Sequence, residues 1–124
     1  MNSATTGLTI RVPICPYPEL SPNARVHHME RAKAVRTSRL LAKIFTGPAP
    51  PGFDAAHATV RITIGWGKGR KEMDGDNALA SCKAFLDGVA DGLGVTDKRW
   101  TYPPVQQVRA GKDEPAGFVE MCIA

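Results

Sequence analysis

Residues 8–14, LTIRVPI, alternate, with Leu8, Ile10, Val12 and Ile14 on one face and polar positions on the other. Period two over this length predicts a half-buried strand. Pro13 lacks an N–H, which places the strand at an edge or ends it there. Residues 16–23, PYPELSPN, carry three prolines and read as a loop. From Val26 to Phe45 the chain reads as a helix with an imperfect apolar stripe of Val26, Met29, Ala32/Lys33, Arg36, Leu40 and Ile44, stopped by Gly47-Pro48. Residues 46–53, TGPAPPGF, form a Pro/Gly connection too short to separate domains. Residues 58–66, ATVRITIGW, give the clearest strand: Val60, Ile62, Ile64 and Trp66 inward, Thr59, Arg61 and Thr63 outward. After the glycine-rich basic stretch GKGRKE (67–72), Asn77 to Gly92 reads as a helix. Its stripe of Leu79, Cys82, Leu86, Val89 and Leu93 faces a core. Residues 105–109 and 117–123 read as the arms of a β-hairpin around GKDEPAG. The sum is β-α-β-α-β-β: an α+β or mixed α/β domain with a sheet of about four strands and two main helices.

The length, 124 residues, leads to the expectation of one domain, residues 1–124, with a single core. Hydrophobic residues at 43% and charged residues at 23% are those of a globular chain. No apolar run approaches the roughly 20 residues of a membrane span. Met1–Thr6 shows neither the basic start nor the apolar segment of a secretory signal. Three cysteines, Cys15, Cys82 and Cys122, have no metal-type spacing and leave one over from any pairing. A disulfide scaffold and a zinc ribbon are disfavoured, and a cytoplasmic location is expected.

Charge changes the picture more. The net charge is +4, but it is unevenly spread. Arg25 to Lys43 holds six Lys/Arg against Glu30 alone; Asp74 to Asp97 holds five Asp against Lys83 alone. A basic segment beside an acidic one suits a metal-dependent enzyme on a polyanion, the bases holding phosphate and the acids a cation. A solvated helix face is the plainer account of the same basic run.

Met73-Asp74-Gly75-Asp76-Asn77 lies between strand and helix. In extended chain, Asp74 and Asp76 point the same way about 7 Å apart. Two carboxylates so placed repel unless a cation or a proton intervenes, and Mg²⁺ or Mn²⁺ prefers such oxygens. Asp76 also suits the helix N-cap. A calcium loop is excluded: counted from Asp74, the ligand, glycine and Glu positions hold Ala78, Leu79 and Phe85. At about 100° per residue, Lys83 and Asp87 fall within about 20° of Asp76. Lys83 and Asp87 then form an ordinary helical ion pair, or Lys83 faces a metal-bound phosphate and offsets transition-state charge. Asp91 reads as solvated. Asp97 is either a turn residue or a third ligand.

These residues resemble the RusA-type Holliday junction resolvases, in particular their phage-borne members. DGDN, Lys83 on the following helix, Asp87-Gly88 four residues later and Asp97 in the turn beyond look like the family signature. LSPNARVHHMERAKAVRTSR is similar to its Pro-Asn…His loop leading into a basic helix. The resemblance covers about residues 8–123. It departs in the Lys83 spacing, one turn longer than in the best-known resolvase, and in Thr96, which stands where a second acid is often found.

The resemblance implies a RusA-like fold and a homodimer that nicks branched DNA, above all four-way junctions, symmetrically with Mg²⁺ or Mn²⁺. It implies no membrane and no organic cofactor. Asp74, Asp76, Lys83 and Asp97 are the implied catalytic residues, and Asp74, Asp76 and Asp97 the implied metal ligands. DNA contacts are expected from Arg25, His27, Arg31, Arg36, Arg39, Lys68, Arg70 and Lys71, mostly to phosphates. Gly67 and Gly69 would let their loop approach a DNA backbone closely. His27 and His28 are phosphate contacts or structural residues. Trp66 belongs to the core, whereas Trp100 and Tyr102 are candidates to stack on unpaired bases. A non-catalytic DNA-binding protein on the same fold is the competing reading. A small RNA-binding or toxin-type protein is a more distant one.

Overall fold

The computed structural model describes residues 7–124; Met1–Thr6, read above for a signal, lie outside the described residues. Four strands, β1 (Leu8–Val12), β2 (Val60–Trp66), β3 (Gln106–Arg109) and β4 (Phe118–Ile123), form one mixed sheet in the order β1-β4-β2-β3. Three helices, α1 (His28–Phe45), α2 (Gly75–Ser81) and α3 (Lys83–Leu93), complete a small α+β fold.

Registered rows explain why one side of the sheet is core. Ile10, Met121 and Ile62 stand side by side, as do Val12, Val119 and Ile64, and all six are buried. The alternate rows carry Arg11, Glu120 and Thr63, then Thr9, Cys122 and Arg61, which leaves the other side polar. This is the half-buried pattern of period two. Trp66, Phe85, Leu86 and Val89 join the buried rows from β2 and α3.

The hairpin expected from residues 105–123 does not form. β3 pairs in parallel with β2, and β4 lies antiparallel between β1 and β2. Burial decides the arrangement. QQVR is largely exposed and suits an edge, whereas Phe118, Val119, Met121 and Ile123 are all buried and need neighbours on both sides. The loop between them is held by Arg11, whose guanidinium meets Glu114 at 2.6 Å and Glu120 at 2.8 Å and lies 3.7 Å over the Phe118 ring. Phe118 in turn covers Gly65, where a Cβ would sit 2.0 Å from the ring.

Helix α1 faces the core with a different stripe from the one expected. Ala34, Ser38 and Ala42 are buried, whereas Met29, Leu40 and Ile44 are exposed. Small residues win because α1 packs closely on α3: a Cβ on Gly88 would lie 2.1 Å from the Arg39 carbonyl oxygen and 2.8 Å from the Ala42 Cβ. The second expected helix is divided at Cys82, which closes α2 and precedes α3. Among the described residues no helix is long and apolar enough to cross a membrane.

Candidate functional site

The acidic turn is set by the sheet edge next to it. Gln107 on β3 accepts from the Trp66 indole Nε1 (2.8 Å) and from the Met73 N–H (3.0 Å), and its Nε2 donates to the Met73 carbonyl (2.7 Å). Both backbone polar groups of Met73 are thereby fixed. Asp74 follows in extended conformation as the N-cap residue of α2, so the cap position is Asp74 rather than Asp76. Its carboxylate makes no capping hydrogen bond, and Asp76 lies in the first turn. Both are exposed. Sequence reasoning missed Gln107, because a glutamine in a polar strand carries no signal of its own.

Lys83 opens α3. Its ammonium donates to Asp87 Oδ1 at 3.0 Å, the expected i,i+4 pair, and also to Asp97 Oδ2, reaching across from the turn after α3. Asp97 therefore does fold back onto the helix, but onto the lysine. Burial works to lower the Lys83 pKa, yet the hydrogen bonds to Asp97 and Asp87 prevail, and the net shift is upward. Lys83 is thus a fixed cation at neutral pH and not a proton acceptor. Beside it, burial first and the Asp97 charge second raise the Tyr102 phenol, which stays neutral. Cys82, fully buried behind Lys83, has its thiol pushed up to about 12 by burial and is chemically inert.

The break at Cys82 puts Asp76 and Lys83 on separate helices, yet both line one cavity of about 470 Å³, together with Leu79, Ala80, Leu86 and Tyr102. Lys83 and Ala80 also border a smaller hollow with Leu20, Arg31, Val35, Ala84 and Asp87. Lys83 stands on the ridge between the two.

Carboxylates alone form the donor set, which suits a hard cation such as Mg²⁺ or Mn²⁺. Among the described residues, no three His, Cys, Asp or Glu side chains gather into a metal-holding group. An ion here would rest on one or two carboxylates, with water and phosphate oxygens completing its shell, a common arrangement for Mg²⁺.

The expected DNA contacts divide. Arg25, Arg36, Lys68 and Lys71 are exposed, and their side chains have no hydrogen-bond or ion-pair partner among the described residues. Three other arginines are engaged internally. Arg31 donates to the Ser21 and Ala24 carbonyls and ties the proline loop to α1. Arg39 pairs through two nitrogens with Asp91, at 2.5 and 2.9 Å, so Asp91 is not simply solvated. Arg70 reaches Cys15 Sγ at 3.5 Å, and its guanidinium lies 5.2 Å over Trp66. His27 caps α1, its Nδ1 accepting from the Met29 N–H. Trp66 is core, as expected. Trp100 is buried, with its Nε1 donating to the Ala55 carbonyl, so it offers no face for stacking. Gly67 makes its close approach to the 110–117 loop, where a Cβ would lie 2.4 Å from the Pro115 carbonyl oxygen. Sequence reasoning also missed a chain next to the Asp97 turn. Asp54 Oδ2 lies 3.0 Å from His57 Nδ1, and His57 Nε2 lies 3.2 Å from an Arg99 nitrogen.

No family model matches the chain. The chain is similar to an uncharacterized protein of Xylella fastidiosa (strain Temecula1 / ATCC 700964), 36% identical over 95 residues, an alignment that covers 73% of this chain and 61% of that protein. The chain thus spans under two thirds of the length of that relative.

Proposed function

We propose that the chain is a divalent-metal-dependent endodeoxyribonuclease of the RusA type, acting on four-way or otherwise branched DNA. The observation that carries this reading is Lys83, held by Asp87 and Asp97 on the rim of a cavity that Asp76 also lines. Of the expected ligands Asp74, Asp76 and Asp97, the last is engaged by Lys83, so one or two of these carboxylates would hold Mg²⁺ or Mn²⁺, with water and phosphate oxygens completing the shell. A bound ion of this kind lowers the pKa of water and offsets charge on the phosphate and the leaving oxygen. The chain itself contributes a permanent ammonium at the site and a turn fixed by Gln107. Two of the three donors of that ammonium are committed to Asp87 and Asp97, which leaves one for a phosphate oxygen. Arg25, Arg36, Lys68 and Lys71 supply contacts of the kind that set affinity and salt dependence rather than sequence preference. Symmetric paired nicks call for a two-fold pair of chains, and the exposed apolar side chains Met29, Leu40 and Ile44 on α1 are available to be covered in one. The expected setting is the cytoplasm of a bacterial or phage-infected cell.

One observation favours the alternative of a non-catalytic, structure-selective DNA-binding protein: Lys83 already occupies Asp97, and among the described residues no third acid joins Asp74 and Asp76 in a metal-holding group. Cleavage of a labelled four-way junction, with and without Mg²⁺ or Mn²⁺, separates the two. Paired metal-dependent nicks that vanish in Asp76→Asn are the expected result. Binding with no cutting under either ion rejects the nuclease reading in favour of the alternative.

A further inference from the structure

The cavity beside Lys83 is poorly suited to a bare phosphate. Leu79, Ala80, Leu86 and the Tyr102 ring make up most of its lining, and its two charged members, Asp76 and Lys83, cancel. Asp87 and Asp97, both on the Lys83 ammonium, already balance its charge, so the cavity walls themselves offer an anion no net attraction. An anion pressed into these walls would lose hydration and gain little attraction. A neutral flat ring buries its faces against them at no such cost, and about 470 Å³ is ample for one.

Lys83 supplies the second half of the argument. It stands on the ridge between this cavity and the smaller hollow at Leu20 and Val35. A strand crossing that ridge brings a phosphate over the ammonium, whose third donor is uncommitted, and a base to one side of it. We infer that the cavity lined by Leu79, Leu86 and Tyr102 receives an unpaired nucleobase of the bound DNA strand, stacked against Tyr102, while the adjoining phosphate meets Lys83. The inference rests on the nuclease reading and names what its site takes besides phosphate. Every base has a π-face, so the site is tolerant of sequence. It selects for a base already free of its partner, because a paired base must first be unpaired and unstacked.

The test places 2-aminopurine at the single unpaired position of a bulged duplex and titrates it with the protein in EDTA, so that nothing is cut. Binding is followed in parallel by anisotropy, with a fully paired duplex as reference. A fluorescence change on binding, with tighter binding to the bulged than to the paired duplex, is expected. Tyr102→Leu should weaken binding to the bulged duplex by roughly 5- to 100-fold while leaving the paired duplex unaffected, and Tyr102→Phe should retain the wild-type preference. Ala80→Gln obstructs the mouth from an exposed position and should act like Tyr102→Leu without disturbing the core. Equal affinities of wild type, Tyr102→Leu and Ala80→Gln for the bulged duplex, or no fluorescence response, overturn the inference. If the protein still binds and cuts branched DNA, only the base site falls. If it binds no branched DNA at all, the nuclease reading falls with it.

Discussion

Helix α3 carries a cation–carboxylate contact toward each end, and the two differ in what they leave free. Near its C-terminus, Arg39 of α1 grips Asp91 with two nitrogens, joining two helices that already interlock at Gly88. At its N-terminus, Lys83 is shared between Asp87 and Asp97, stands over a cavity and keeps one donor in reserve. A matched two-pronged pair spends its geometry on a single partner. A point charge divided between two acids is held in place without being used up. Asp87, Asp91 and Asp97 all belong to the same acidic segment of sequence, so charge alone does not tell the structural pair from the chemical one. The cavity does.

The sharpest way to break this contrast is to remove each cation in turn. Lys83→Met should lower the cleavage rate by roughly 10²- to 10³-fold, in line with the loss of one preorganised electrostatic contact. Arg39→Met should leave the rate near wild type. Junction-cleavage kinetics on the two variants decide it, and comparable losses would erase the distinction. Because the Lys83 pKa is raised, its charge persists through neutral pH and past its ordinary value of 10.5, and any activity it supports should show no fall from lysine deprotonation below that pH.

The helix seam gives the next effect. Gly88→Ala drives a Cβ into the Arg39 carbonyl and should cost about 3 kcal/mol in chemical denaturation. Gln107→Leu probes the other region. It strands the buried Trp66 Nε1 and frees Met73, with a stability loss of about 1–3 kcal/mol. Its cleavage should fall further than that of a Gly88→Ala protein assayed at a temperature where both are folded, since Gln107, unlike Gly88, holds the Met73 backbone of the turn bearing Asp74 and Asp76.

The smallest effect is acid dependence at Arg39–Asp91. The Arg39 hydrogen bonds hold the Asp91 carboxyl below its usual value of 3.8. A depressed carboxylate pKa stabilises the fold above the unfolded-state pKa, and that contribution fades as pH falls through the folded value. Melting curves of wild type and Asp91→Asn should differ slightly at pH 7 and converge in strong acid.

Much of this was legible in the residues. The alternation of Val60, Ile62 and Ile64 marks β2, and the i,i+4 spacing of Lys83 and Asp87 gives their contact directly. Local period reports local geometry. It fails where a partner distant in sequence decides. Nothing near Ala34, Ser38 and Ala42 says that α3 will come close enough to demand small residues there. Nothing near Phe118 says that it belongs between β1 and β2 rather than beside β3. Gln107 and the Arg39–Asp91 pair are likewise products of tertiary assembly, 34 and 52 residues from their partners.

The place of β4 bears on how the chain folds during synthesis. β4, one of the two inner strands, is the last of the described elements to leave the ribosome, and β1, the first, has no strand partner until it arrives. Closing the sheet joins residues more than 100 apart in sequence, the kind of non-local pairing that slows folding. Until then the apolar rows of β1 and β2, Ile10 with Val12 and Ile62 with Ile64, lack the strand that belongs between them. The nascent chain spends its most aggregation-prone interval as two unjoined strand edges, and the emergence of Phe118–Ile123 ends it.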